Sequence, residues 1–131
     1  MSVMIGPTAL LISPDPEDAQ TLTGIFRLES WSLRAAHSLE RAFPELEHHD
    51  FRLVITEKDL LPGTWKDVWD GLQEFAAPPL LVVVSRHADA ALWSEVLNLG
   101  GYDVLAKPYR ASEIERLLGH AGRSAASEAG A

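Results

Sequence analysis

Short runs of aliphatic residues alternate along this chain with segments whose apolar residues recur at helical spacing. Continuous apolar runs of this length are typical of strands that are buried on both faces of a sheet. Such runs predict strands at residues 8–13, 53–55, 80–85 and 102–106, and the more polar segment 31–36 predicts a weaker strand. The run at 80–85, Leu-Leu-Val-Val-Val-Ser, is the most strongly apolar.

Helix signals follow each predicted strand. Asp15 and Pro16 suit the cap and the first position of a helix whose apolar stripe includes Leu22 and Phe26. Ser38 is predicted to cap a short second helix, which Pro44 is expected to disturb. Three later stripes predict the remaining helices: Trp65, Val68, Trp69, Leu72 and Phe75; Leu92, Trp93, Val96 and Leu99; and Ile114, Leu117, Leu118 and Ala121.

Five strand–helix repeats predict a single α/β domain. With right-handed crossovers, the strands form a five-stranded parallel sheet between two layers of helices, a three-layer α/β/α sandwich of flavodoxin-like type. We assign residues 1–122 to this domain. Residues 123–131 are small and polar, and we predict a flexible C-terminal tail or the stub of a linker.

Composition narrows the class of function. The chain has 131 residues and no cysteine, which excludes disulfides and thiol chemistry. Its 11 basic and 19 acidic residues give a net charge of −8, which disfavours binding to nucleic acid. No apolar run has the length of a membrane span and no secretion signal begins the chain, so we expect a cytoplasmic protein without a membrane partner.

Polar and charged side chains follow four of the predicted strands. Ser13 and Asp15 follow the first strand, Glu57 the third, Ser85 the fourth and Lys107 the fifth. The functional crevice of an open α/β sheet lies outside the carboxyl ends of its strands. These side chains are therefore expected to meet at one edge of the sheet.

This arrangement resembles the receiver domain of two-component response regulators over about residues 8–121. Ser85 stands at the family's hydroxyl position, Lys107-Pro108 at its lysine-proline position, and Tyr109 at its usual aromatic. The stretch 99–108 carries the most specific likeness. The resemblance implies the strand order 2-1-3-4-5, a cis Lys107-Pro108 peptide, and a signalling role without enzymatic activity.

The chain departs from the family at the phosphorylation site itself. Glu57 stands where the family has its phosphoacceptor Asp, and Ser13-Pro14 where it has an acidic pair, which leaves Asp15 just beyond. Val104 stands where many members carry a switching Tyr or Phe. Phosphoryl transfer to a carboxylate needs Mg²⁺ held by well-placed oxygens. We therefore expect no cofactor, and Mg²⁺ binding that is absent or weak.

Glu57 suggests a different role. Its carboxylate is expected to pair with Lys107 and to accept a hydrogen bond from Ser85, which would imitate the phosphorylated state with less charge than a phosphate. The plainer interpretation is an ion pair that merely neutralises the crevice. Any weak Mg²⁺ site would use Asp15, Glu57 and Asp59.

Three functions remain open. The first is a phosphorylation-independent receiver that docks to a sensor kinase or an output domain through the fourth helix, fifth strand and fifth helix, with Trp93 and Tyr102 as candidate contacts and a homodimer left open. The second is a receiver phosphorylated on Asp59 or Asp15. The third, a flavodoxin-like nucleotide- or flavin-binding protein, is disfavoured because Ser13-Pro14-Asp15-Pro16 is not a glycine-rich phosphate loop.

Overall fold

A computed structural model describes residues 6–130, except the side chains of residues 124–130. Strands and helices alternate throughout. The elements are β1 (Thr8–Ile12), α1 (Pro16–Leu28), β2 (Ser32–Ala36), α2 (Leu39–His48), β3 (Leu53–Glu57), α3 (Trp65–Leu72), β4 (Leu80–Ser85), α4 (Ala90–Leu99), β5 (Asp103–Ala106) and α5 (Ala111–Gly130). All five predicted strands and all five predicted helices are present.

The strands form one parallel sheet in the order β2-β1-β3-β4-β5, which confirms the predicted topology. The central strands β1, β3 and β4 are almost fully buried because each has neighbours on both sides and helices on both faces. Glu57 is in register with Val84, and Ser85 with Ala106. This register aligns the carboxyl ends of β3, β4 and β5, and therefore the residues that follow them.

Two apolar clusters hold the helices against the sheet. The sheet residues alternate between them because successive side chains of a strand point to opposite faces. Trp65 is the largest fully buried side chain, and it packs in one cluster with Leu10, Val54, Val83 and other residues of that face. Phe26 and Leu118 from α1 and α5 pack in the cluster on the opposite face.

Three helices differ from the expectation. Helix α3 ends at Leu72, so Phe75 of its predicted stripe lies beyond the helix. Helix α2 continues through Pro44 to His48, although Pro44 was expected to disturb it. It is retained because Ala42 and Leu46 are buried, and because the Ser38 hydroxyl accepts a hydrogen bond from the Arg41 N–H as predicted. On α4, Leu92 and Val96 are buried, whereas Trp93 and Leu99 are 49% and 45% exposed, so the buried stripe is narrower than predicted.

The C-terminal helix extends beyond the predicted end of the domain at residue 122. Helix α5 has its last helical residue at Gly130, so backbone helix extends over most of the segment 123–131. The flexible tail or linker stub stays a prediction, since residue 131 and the side chains from 124 lie outside the description. Residues 1–5 of the assigned domain 1–122 also lie outside it.

Candidate functional site

The carboxyl edge of the sheet gathers the polar residues that follow the strands. The Lys58 N–H donates to the Val84 carbonyl at 2.9 Å, and the Lys107 N–H donates to the Ser85 carbonyl at 3.0 Å. These backbone hydrogen bonds continue the parallel ladder one residue past the ends of β3 and β5. They fix the starting points of the Glu57 and Lys107 side chains on the two strands that flank β4.

The Lys107 ammonium lies between two carboxylates. Its Nζ is 2.6 Å from Glu57 Oε2 and 2.8 Å from Asp18 Oδ2. The contact with Asp18 is a hydrogen bond, whereas Glu57 Oε2 is buried without a hydrogen bond of good geometry. The predicted pairing of Glu57 with Lys107 is therefore present as a close ion pair, and Asp18 joins it.

Asp18 is the site residue that sequence reasoning missed. It is 5% exposed, and its Oδ2 also accepts a hydrogen bond of 2.6 Å from the Ser13 hydroxyl. In the sequence it is one of two acidic residues that follow Pro16 in the first turn of α1. The spacing indicates its burial, because Asp18 lies four residues before Leu22 and eight before Phe26, on the buried stripe of the helix.

Burial and charge change the proton affinities of this pair. Burial raises the pKa of Glu57, and the nearby Asp18 and Asp59 carboxylates raise it further, while Lys107 opposes the rise without cancelling it. Burial lowers the pKa of Lys107, but Asp18 and Glu57 together outweigh that effect, so its pKa is raised. Lys107 therefore remains charged at neutral pH.

The raised pKa of Glu57 predicts a pH dependence of stability. A carboxyl with a raised pKa binds its proton more tightly in the folded state than in the unfolded state. The free energy of unfolding therefore falls as the pH rises from 4.5, the ordinary pKa of a glutamate, through the raised pKa of Glu57. Glu57→Gln should flatten the fall in the free energy of unfolding over this interval, as measured by urea unfolding at a series of pH values. The exposed Glu47→Gln is the control. An unchanged pH profile in Glu57→Gln would contradict the assignment.

Ser85, Pro108 and Tyr109 occupy the expected places with partly different contacts. The Lys107-Pro108 peptide is cis, as the resemblance implied. The Ser85 hydroxyl accepts a hydrogen bond from the His87 N–H at 3.0 Å, and the described residues include no hydrogen bond from Ser85 to Glu57. Burial and three nearby carboxylates strongly raise the pKa of Tyr109, whose hydroxyl is neutral and has no hydrogen-bond partner among the described residues.

The other predicted acids lie outside this ion-pair cluster. Asp15 caps α1 by accepting a hydrogen bond from the Glu17 N–H, and Pro14 is exposed. Asp59 is exposed and its backbone bridges to Thr64. Within the part of the chain that the structure describes, no three acidic or histidine side chains are grouped so that they could hold a metal ion.

A second surface feature lies on the side of the domain formed by α4, β5 and α5. A groove of about 460 Å³ opens there, lined by Trp93, Tyr102, Val104 and Leu117 together with charged residues of α5 such as Arg116. Val104 is only 8% exposed and packs in the sheet core. Its side chain and that of Tyr102 both line the groove.

Among the described residues, no helix is both long enough and apolar enough to cross a bilayer.

Solved structures of receiver domains match this architecture closely. A signal receiver domain from Vibrio parahaemolyticus has a TM-score of 0.86 at 19% identity, with 95% of each chain covered. A two-component response regulator from Clostridium difficile has a TM-score of 0.80 at 21% identity, with 89% of this chain and 96% of that chain covered. A response regulator from Burkholderia pseudomallei, whose structure holds a phosphorylated aspartic acid and a calcium ion, has a TM-score of 0.75 at 21% identity, with 94% of this chain and 73% of that chain covered.

No protein-family model matches the sequence, and no curated protein does. The likeness at these low identities establishes the fold, which is that of response-regulator receiver domains.

Proposed function

We propose that the chain is a receiver domain of two-component signal transduction that works without phosphorylation, by docking to protein partners. The observation that carries the proposal is the ion pair of 2.6 Å between Glu57 and Lys107 at the carboxyl edge of the sheet. A glutamate that already engages the lysine supplies a negative charge without phosphorylation, at the point where a phosphorylated receiver would acquire one. The chain is then a binding module rather than an enzyme.

The acceptor position argues against phosphoryl transfer. Glu57 carries one more methylene than aspartate, which moves its oxygens by about an ångström from the in-line position and can cost about a hundredfold in rate. Its Oε2 is buried against the ammonium rather than presented to a phosphodonor. Asp59 and Asp15 are poor substitutes, because one is exposed at a turn and the other caps α1.

The residues of the site also do not fit the divalent cation that phosphorylation of this fold requires. Mg²⁺ prefers an octahedron of oxygen ligands at about 2.1 Å. Asp18 shares the Lys107 ammonium with Glu57, but its Oδ2 is already contacted by the Ser13 hydroxyl as well as by that ammonium. Ser13-Pro14 supplies no further carboxylate, so Mg²⁺ would have to displace a buried ammonium to bind.

The partner surface that we favour is the groove between α4, β5 and α5. Trp93 is 49% exposed and Tyr102 lies beside it, and half-exposed aromatic side chains are frequent anchors in protein interfaces. The charged residues Arg116 and Glu113 line the same groove and would orient a partner. A sensor kinase or an output domain would dock here, and a homodimer through this face is a further arrangement of the same kind.

Intact-mass spectrometry tests the proposal. The protein is incubated with Mg²⁺ and acetyl phosphate, beside an ordinary receiver domain as a positive control. The wild-type protein should carry no phosphoryl adduct. In Glu57→Asp, an adduct would identify acceptor length as the limiting feature, and its absence would identify the missing cation ligands. An adduct on the wild type, mapped with Asp59→Asn and Asp15→Asn, would overturn the proposal.

A further inference from the structure

The positive charge between Asp18 and Glu57 is supplied by a side chain of the protein, the ammonium of Lys107. Lys107 Nζ is within 2.8 Å of one oxygen from each of two carboxylates, and the Lys107, Asp18 and Glu57 side chains are 8%, 6% and 17% exposed. Two buried carboxylates close to one point repel each other strongly unless a cation lies between them. Within the described part of the chain, Lys107 is the cation in contact with either of them.

The ammonium is held in place from several directions. Its backbone N–H donates to the Ser85 carbonyl, and its side chain donates to Asp18. Asp18 is itself oriented by the Ser13 hydroxyl, and the same hydroxyl accepts a hydrogen bond of 3.1 Å from the Asp15 N–H. Ser13 therefore links the ammonium to the loop after β1, the loop where the resemblance leads one to look for metal-binding acids.

We infer that the Lys107 ammonium is the resident cation of this site, bridging Asp18 and Glu57 in place of a divalent ion. Removing the ammonium should convert the two carboxylates into a divalent-cation site. This inference deepens the proposed function, and it rests on the part of that proposal which says that the site no longer needs a divalent cation for phosphorylation. It assigns to Asp18 the role of a positioning residue for Lys107.

The geometry supports such a conversion. Both carboxylate oxygens already approach a single point, the Lys107 Nζ position, and a cation at that point would take water molecules as further ligands. Mg²⁺ commonly binds through one or two carboxylates and retains several waters, and Ca²⁺ accepts oxygens at about 2.4 Å in flexible geometry. Ca²⁺ should therefore bind at least as readily as Mg²⁺, because these two carboxylates are positioned around an ammonium and do not provide the octahedral geometry that Mg²⁺ requires.

The test compares the thermal midpoint of unfolding with and without divalent cation at constant ionic strength. In Lys107→Met, Ca²⁺ or Mg²⁺ at about ten times its Kd should raise the midpoint by about 5 °C. The wild type should not respond. Lys66→Met removes an exposed lysine that pairs with Glu95 at 3.4 Å, and it should also show no response. Asp18→Asn combined with Lys107→Met should abolish the response, because one of the two carboxylates is gone.

Each outcome bears on the inference. A folded Lys107→Met variant that ignores both cations would overturn it. If the variant is unfolded without divalent cation, recovery of its near-ultraviolet circular dichroism on adding Ca²⁺ would support the inference, and no recovery would count against it. In the wild type, the nuclear magnetic resonance signal of Lys107 Nζ should not move during Mg²⁺ titration, and displacement of that signal would refute the resident-cation role.

The readouts separate this inference from the proposed function. Wild-type metal binding without a phosphoryl adduct would defeat the resident cation and leave the phosphorylation-independent receiver intact. A phosphoryl adduct on the wild type would defeat the proposed function whatever Lys107→Met does with metal.

Discussion

Lys107→Met should lower the free energy of unfolding by about 3–5 kcal/mol at neutral pH in buffer without divalent cations, the range seen when one partner of a buried ion pair is removed. Methionine fills much of the space of the lysine stem but leaves Asp18 and Glu57 without their cation. The Asp18 and Glu57 side chains are 6% and 17% exposed, so water can screen their mutual repulsion only weakly. The loss should lower the thermal midpoint by about 10–20 °C.

Urea unfolding is the measurement, with Lys66→Met as the matched control. Lys66 and Glu95 are 53% and 49% exposed, and an exposed pair of this kind contributes under about 0.5 kcal/mol. An equal loss in both lysine variants would mean that the charge of Lys107 contributes no more to stability than the charge of an exposed lysine. The denaturant slope should remain unchanged, since the surface exposed on unfolding is the same.

The loss in Lys107→Met should also depend on pH in a defined direction. Lys107 is the group that holds the pKa of Glu57 down against burial, so its removal raises that pKa further. Protonation of Glu57 then removes one of the two opposed charges. The difference in free energy of unfolding between wild type and variant should therefore shrink as pH falls through the raised pKa of Glu57. A difference that grows on acidification would contradict this account.

Most of the fold could be predicted because its signals are local and repeated. The run Leu80–Ser85 contains only apolar residues before its final serine, which is typical of a central strand. A chain of strand–helix repeats with right-handed crossovers can adopt only a few sheet topologies. Parallel strands place their carboxyl ends on one edge of the sheet, and this rule is sufficient to predict that Glu57 and Lys107 lie close together. The close approach of these two side chains is a consequence of topology.

Other features depend on tertiary context that local patterns do not contain. Pro44 was expected to disturb α2, but the burial of Ala42 and Leu46 offsets the loss of one helical hydrogen bond. Ser85 was expected to donate to Glu57, but its hydroxyl is oriented by the His87 N–H of the following turn. Whether the Ser85 hydroxyl bonds to Glu57 or to the His87 N–H depends on the geometry of the loop after β4, which the sequence of this loop does not specify.

Asp18 is the most informative omission, because its neighbour Glu17 looks equivalent in sequence. Both are acids in the first turn of α1, where negative charge complements the helix dipole. One residue of helix rotates the side chain by about 100°, so Glu17 faces solvent while Asp18 faces the crevice. Extending the stripe of Leu22 and Phe26 back by one turn would have placed Asp18 on the buried face.

Asp18→Ala should therefore lower the free energy of unfolding by about 2–4 kcal/mol, less than the loss of Lys107 because Glu57 still pairs with the ammonium. The substitution leaves the Ser13 hydroxyl without its acceptor and removes one of the two anions that hold Lys107. Glu17→Ala is the control. It should cost under about 1 kcal/mol, because it loses only an exposed charge near the helix N-terminus.

A second readout separates an electrostatic role of Asp18 from a packing role. The Asp18 carboxylate raises the pKa of Glu57, so Asp18→Ala should lower that pKa, and Asp18→Asn should do the same while keeping the size of the side chain. The Glu57 carboxyl carbon can be followed by nuclear magnetic resonance during a pH titration. A pKa of Glu57 that is unchanged in Asp18→Asn would mean that Asp18 is a packing residue, and the buried cluster would then reduce to the pair of Glu57 and Lys107.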